Sequence, residues 1–419
     1  RILRDQEDGR YPSDHFPYTA AMSPPELFGN DGTQTGWFDI EAWSQEVRFR
    51  SPDDQAIRWE VGAYYLDWDR FVSLSTGVDT GAGIIRLERE PTTDPRNPTT
   101  SFLADDNSNE ALAAFGQVNA DLGEDFELSM ALRYDEEKRQ QDVSPLQFPA
   151  GQPGARNEET FDMWQPKVTL RYRPSDQHNL YATWGRGFRS GQFNQNGIAD
   201  VAASVGLTGI TDVVDQEETE SFEVGYKGLF LDDRLRLVTA AFSTTVEGQQ
   251  FFSFIGAVSA QILTSIDEVQ LYGGELELSY RVNQYLDLYA AYGFTDSEIE
   301  EYAVDPSVEG NDAPYVADET INIGGQLVAP SPLPGIDLFA RVDYERRGSQ
   351  YWDVQNSTDR SPLDFLSLRL GIEDADEKWS VLWQLQNALD EEYNSEWVAG
   401  GFSAAAPGQI WNLRLRYNF

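Results

Sequence analysis

The chain has 419 residues, no cysteine, two histidines and a formal net charge of −40. That length suits one large domain or two medium ones. The lack of cysteine excludes thiol catalysis, disulfides and cysteine-bound zinc, and His15 and His178 are too few for a multi-histidine metal site. No run approaches the roughly eighteen apolar residues that a membrane helix needs. A β-barrel crosses with strands of about ten residues whose faces alternate, so low mean hydropathy is compatible with a membrane. Arg1 is not a start residue, and an exported chain carries a leader. The expectation is that the N-terminal part of the gene product lies upstream.

Residues 1–40 are rich in Pro, Gly and Asp and read mostly as a long outer loop entered from a missing strand. Fifteen candidate strands follow, near 41–50, 57–72, 109–122, 126–138, 162–173, 179–188, 217–228, 234–247, 267–281, 286–299, 318–329, 336–347, 362–373, 378–389 and 408–419. The joints between them switch strictly between two kinds. Tight ones fall at 51–56, 123–125, 174–178, 229–233, 282–285, 330–335 and 374–377; the others run from roughly fourteen to thirty-odd residues, a length class that usually carries function. Short turns on one side and long loops on the other mark an outer-membrane barrel.

Alternation within the strands agrees. In the last one, Trp411, Leu413, Leu415, Tyr417 and Phe419 share a face, and Asn412, Arg414, Arg416 and Asn418 share the other. At 126–135, Phe126, Leu128, Met130, Leu132 and Tyr134 alternate with Glu127, Ser129, Ala131, Arg133 and Asp135. Aromatic residues gather near strand ends, where membrane interfaces place them. No helical segment is present to cover the apolar face. The predicted fold is all-β, an antiparallel transmembrane β-barrel. Because bacterial single-chain barrels have even strand numbers, about fifteen strands implies at least one more.

Several segments in order resemble the barrel of TonB-dependent outer-membrane receptors. They are WSQEVRFRSPDDQAIRWEVGAYYL at 43–66, LYATWGRGFRSGQFN at 180–194, ETESFEVGYKGLFLDDRLRLVTAAFSTTVEGQQ at 218–250, YGGELELSY at 272–280, LQNALDEEYN at 385–394 and PGQIWNLRLRYNF at 407–419. Gln192 departs from a glycine common in the second of these. The resemblance covers nearly all of 41–419 and implies the C-terminal part of a barrel of about 22 strands. It also implies a TonB-recruiting motif, a plug domain and some seven further strands outside this sequence. The implied function is active uptake of a scarce nutrient (siderophore, vitamin or oligosaccharide), energised through TonB. A passive porin-like channel and a truncated remnant are the alternatives.

Candidate ligand residues lie in loops on the long-loop side. In GFRSGQFN, Arg186 and Arg189 could meet an anionic ligand with a planar fork, and Gln192 and Asn194 could add hydrogen bonds. Alternatively, these residues pack against the plug or pair with lumen carboxylates. Tyr351 and Trp352, beside Asp353 and Gln355, suit stacking on a sugar or aromatic chelator, or else belong to an interfacial aromatic belt. The unusually apolar segment at 249–261 either folds over a ligand or prolongs its hairpin.

Acid runs at 105–110, 215–220 and 298–312 read as a solvated surface. They could also bridge to anionic headgroups or lipopolysaccharide through divalent cations, though none has the spacing of a defined calcium loop. The acidic loops argue against a strongly anionic ligand. Trp411, Tyr417 and Phe419 resemble the terminal signal read by the barrel-assembly machinery. No catalytic, metal or cofactor residues are expected. His178 falls in a short turn, His15 sits in a loop beside Asp14, and no carboxylate pair stands out. The expected partners are outer-membrane lipid, the TonB complex through the missing plug, the assembly machinery and a small molecule, with no nucleic acid.

Overall fold

A computed structural model describes residues 2–12, 16–17, 31–79, 89–146, 155–204, 206–255, 260–376, 378–397 and 403–418. Strands occupy all fifteen expected places, and each long strand pairs antiparallel with its neighbour in sequence. We label the long strands β1 (Ile2–Pro12), β2 (Asp31–Arg50), β3 (Ile57–Asp79), β4 (Thr99–Leu122), β5 (Phe126–Val143), β6 (Arg156–Ser175), β7 (His178–Arg189) and β8 (Glu217–Phe230). Then come β9 (Leu235–Ile255), β10 (Ala260–Arg281), β11 (Leu286–Glu301), β12 (Glu319–Pro330), β13 (Ile336–Arg347), β14 (Leu363–Asp374), β15 (Trp379–Gln386) and β16 (Ile410–Tyr417).

Several boundaries differ from expectation. Within residues 1–40, β1 pairs with β2 from Ile2↔Gln45 to Pro12↔Thr35, and β2 itself begins at Asp31 rather than 41. Strand β3 runs to Asp79, β4 starts at Thr99, and β9 and β10 stay paired out to Ile255↔Ala260. A strand needs only about ten residues to cross the membrane. Above it neither face is held to lipid, so the period of two no longer marks the strand while the backbone ladder continues. His178 is the first residue of β7, opposite Gly228, rather than a turn residue.

Cross-strand register makes the two faces explicit. One rung runs Ile57↔Ala120↔Leu128↔Leu170↔Ala182↔Val224↔Ala241↔Gly274 without a polar side chain. The neighbouring residues Arg58, Asn119, Ser129, Thr169, Thr183 and Glu223 form the opposite face. Apolar-face side chains such as Leu170, Val224, Leu413 and Leu415 are exposed, because lipid rather than protein is their surroundings.

The polar face is braced near the short turns. Arg58 forks onto Asp121 at 2.6 and 2.7 Å and also reaches Glu127 at 2.7 Å. Arg171 and Arg173 reach the same Glu127, whose side chain is 8% exposed. One nearly buried carboxylate thus ties together three strands, and its several partners compensate the cost of taking it out of water.

Buried apolar packing sits elsewhere, at the long-loop end. Ile266, Val269 and Ile299 are completely buried with Val308, Ala313 and Val354. This cluster joins the ends of β9–β11 to the loops at 302–318 and 348–362. Strand β16 is exposed along its whole length, with Trp411 and Tyr417 on the apolar face. Phe419, the last residue of the expected assembly signal, lies outside the described residues, as does His15.

Candidate functional site

Two loop assemblies stand above the wall. The first is organised by Asn194. This residue is 5% exposed. The amide donates to the carbonyls of Thr211 and Leu263, both at 2.8 Å, and its oxygen accepts the Leu263 N–H at 2.7 Å. One amide therefore pins the 190–216 loop to strand β10. Gln250 does the same from β9: its Nε2 donates to the carbonyls of Ser190 and Asp215. Gln192 joins it, donating to Gln250 Oε1 at 3.1 Å. Asp212 accepts the N–H groups of Gly197 and Ala199 at the start of the short helix Ile198–Ser204.

Arg186 and Arg189 are engaged with the acid run on the neighbouring strand. Arg189 donates to Glu217 at 2.6 Å and to the Gln250 carbonyl. Arg186 meets Glu218 at 3.0 Å and Glu220 at 3.6 Å. Three positions apart on a strand, the two arginines point to opposite faces. Arg186 follows Trp184 and Ala182 on the apolar face; Arg189 belongs to the polar face. They do not converge on one ligand, and that spacing was readable without coordinates. The Glu217, Glu218 and Glu220 partners were not, because a long loop separates the two strands in sequence.

The second assembly holds Tyr351 and Trp352. Trp352 is 8% exposed, and its ring meets Tyr315 edge-on at 5.3 Å. Tyr315 adopts φ +65° and donates its backbone N–H to the Tyr351 carbonyl at 2.8 Å. Tyr315 is 42% exposed, so this loop presents an aromatic residue outward. Only its position beside Pro314 could have signalled it. Asp353 closes the turn by accepting from Ser357 N, Ser357 Oγ and Thr358 N. Asn356 exchanges two 2.9 Å bonds with the Asp312 backbone.

Electrostatics differ along the 302–318 loop. Burial, with Asp296, Asp318 and Glu298 nearby, holds the Asp312 carboxyl above the usual range. Hydrogen bonds from the Ser307 side chain and N–H hold Asp305 below it. Among the described residues, no three histidine or carboxylate side chains converge as metal ligands. The apolar segment after Gln249 continues strand β9 to Ile255; residues 256–259 lie outside the described ones.

Comparisons with known proteins fit this architecture. The family described as TonB dependent receptor-like, beta-barrel, matches residues 4–388. A probable TonB-dependent siderophore receptor, PiuA, of Acinetobacter baumannii is 21% identical over 319 residues. A probable TonB-dependent receptor, BfrD, of Bordetella pertussis is 22% identical over 329. Each alignment takes in 74% of this chain and 41% of the relative. The ferric yersiniabactin uptake receptor FyuA of Yersinia pestis superposes with a TM-score of 0.72 at 16% identity, covering 100% of this chain and 58% of FyuA. The unliganded ferric citrate transporter FecA gives 0.66 at 14% identity, covering 99% and 57%. The chain thus spans about half the length of these proteins. It belongs to the TonB-dependent receptor β-barrel family of the bacterial outer membrane.

Proposed function

We propose that this chain forms most of the wall and the outer loop layer of a receptor that takes up a scarce nutrient with energy delivered through TonB. Family membership over residues 4–388 carries this reading. A loop layer with its own buried core supports it, since a size-limited pore needs no such preassembled surface. Among nutrients, a ferric siderophore is the first choice, because PiuA, FyuA and FecA are described as handling ferric or siderophore ligands. Vitamins and oligosaccharides come next.

In this reading the ligand meets the loop layer from outside. Tyr351 and Trp352 act through the Tyr315 ring, which they hold in place. Arg189, Gln192 and Asn194 set the shape of the rim from the polar side. Arg186, on the other face, meets the headgroup region. Trp411, Tyr417 and Phe419 serve recognition by the assembly machinery. The proposed partners remain the TonB complex and the lipopolysaccharide leaflet.

Uptake by cells expressing the intact receptor tests the reading. Radiolabelled ferric siderophores, cobalamin and oligosaccharides would be supplied with and without TonB depletion. One ligand class should accumulate, and depletion should abolish accumulation while leaving surface binding. Accumulation of many small solutes at rates set by size and unaffected by TonB would instead establish a passive channel.

A further inference from the structure

The apolar face is not uniformly full. Among the described residues a groove of about 600 Å3 lies across β5–β9, floored by Ala182, Val224 and Ala241 and walled by Phe126, Leu170, Leu180 and Tyr226. Register explains the shape. The rung Leu170↔Ala182↔Val224↔Ala241 is built mainly from small side chains. The rung on its long-loop side, Val168↔Trp184↔Phe222↔Ser243, is bulky at its centre. Beyond Ala241 the next strand carries Gly274, which the Phe294 ring covers: an added Cβ there would come within 2.8 Å of that ring.

Tyr226 determines the lower rim. Instead of filling the groove, its ring leans towards the short-turn side over Gly228, where an added Cβ would lie 2.3 Å from the Tyr226 hydroxyl. Only glycine leaves room for that orientation. The hydroxyl meets His178 Nδ1 at 2.6 Å, and the His178 and Phe230 rings pack at 5.2 Å. When Nδ1 accepts from Tyr226, the imidazole proton sits on Nε2, available to an ester or phosphate oxygen. The rim therefore has an apolar slot above and a hydrogen-bonding pair below, close to the turns that outer-membrane barrels place on the periplasmic side.

We infer that this groove holds one acyl chain of a periplasmic-leaflet phospholipid, with its glycerol-phosphate region at His178 and Tyr226. The face is bathed in hydrocarbon, and a depression of this size forfeits dispersion contacts unless a chain fills it. Its place near the short turns selects the phospholipid leaflet over the lipopolysaccharide leaflet. The polar pair at one end selects a lipid, with a head and a tail, over a second copy of the wall.

The test is native mass spectrometry of the intact receptor released from nanodiscs of phosphatidylethanolamine. The wild type should retain one phospholipid under activation that strips the rest. Ala182→Phe and Ala241→Phe should each lower that occupancy at least fivefold, whereas Ala290→Phe, elsewhere on the apolar face, should not. Heat-modifiable gel migration identifies folded variants. His178→Ala leaves the slot open and should shift retention away from phosphatidylethanolamine by about threefold. A wild type that retains no lipid, equal retention by the filled variants, or a dimer lost on filling the groove would overturn the assignment.

Discussion

The wall and the loop layer obey opposite packing rules. On the wall, Leu170, Val224 and Leu415 are more than two-fifths exposed, and lipid completes their surroundings. In the loop layer, Ile266, Val269 and Ile299 are fully buried by protein. The wall needs only a period of two and hydrogen-bonded neighbours. The loop layer needs particular side chains from distant segments to meet. The same substitution should therefore have different consequences in the two regions.

The largest contrast is a matched pair of truncations. Ile299→Ala should cost about 3 kcal/mol of loop-layer stability, the usual range for emptying a buried aliphatic site. Leu170→Ala on the apolar face should cost about 0.5 kcal/mol, the scale of leucine's preference for lipid. Denaturant titrations in vesicles, with local opening read by hydrogen exchange, would compare them. Equal costs would erase the distinction between the regions.

Next comes Asn194→Ala. It leaves the Leu263 N–H and two carbonyls without their partner, at about 2 kcal/mol. Proteolysis within 190–216 should speed up roughly tenfold while the wall stays intact. An unchanged rate would show that Asn194 does not fasten the loop.

The two arginines sharpen the assignment of faces. The chain has no cysteine, so single-cysteine variants label cleanly. Arg186→Cys should react with a lipid-borne maleimide at the headgroup, and Arg189→Cys should not. The Arg186–Glu218 pair is only partly buried, and such solvent-screened pairs contribute little, so Arg186→Ala should shift stability by less than about 1 kcal/mol.

The smallest effect concerns pH. Asp312 has its folded value raised, so its ionised form disfavours the docked loop. Docking should strengthen as pH falls from neutrality through the raised value, and level off below the ordinary carboxyl value near 3.8. Asp312→Asn should remove that rise. A rise persisting in the variant would assign it to another carboxylate.

These regions also differ in how much of them sequence reveals. Strands were legible where Phe126, Leu128 and Met130 alternate with Glu127 and Ser129, because lipid on one side enforces the period. Beyond the membrane that demand disappears, which is why residues 73–79 and 99–108 read as loop although, apart from a bulge at Phe102, they are paired. In the site, residue types were informative but partners were not. GFRSGQFN stands out in sequence, yet the Glu217 carboxylate and the Gln250 side chain that engage it arrive across long connections. Tyr315 was hidden because its exposure follows from a left-handed backbone and the Trp352 ring. The opposite orientation of Arg186 and Arg189 was available from spacing alone.

Amide hydrogen exchange on the intact receptor in nanodiscs tests the central claim most directly, that the loop layer is a folded unit with its own core. The informative amides are Asn194, Ile299, Gly310, Tyr315 and Trp352, whose hydrogen bonds run within the loops, between them, or from a loop to the end of β11. They should exchange at least a hundredfold more slowly than an open chain. Exchange within seconds at all of them, beside a protected wall, would contradict the account.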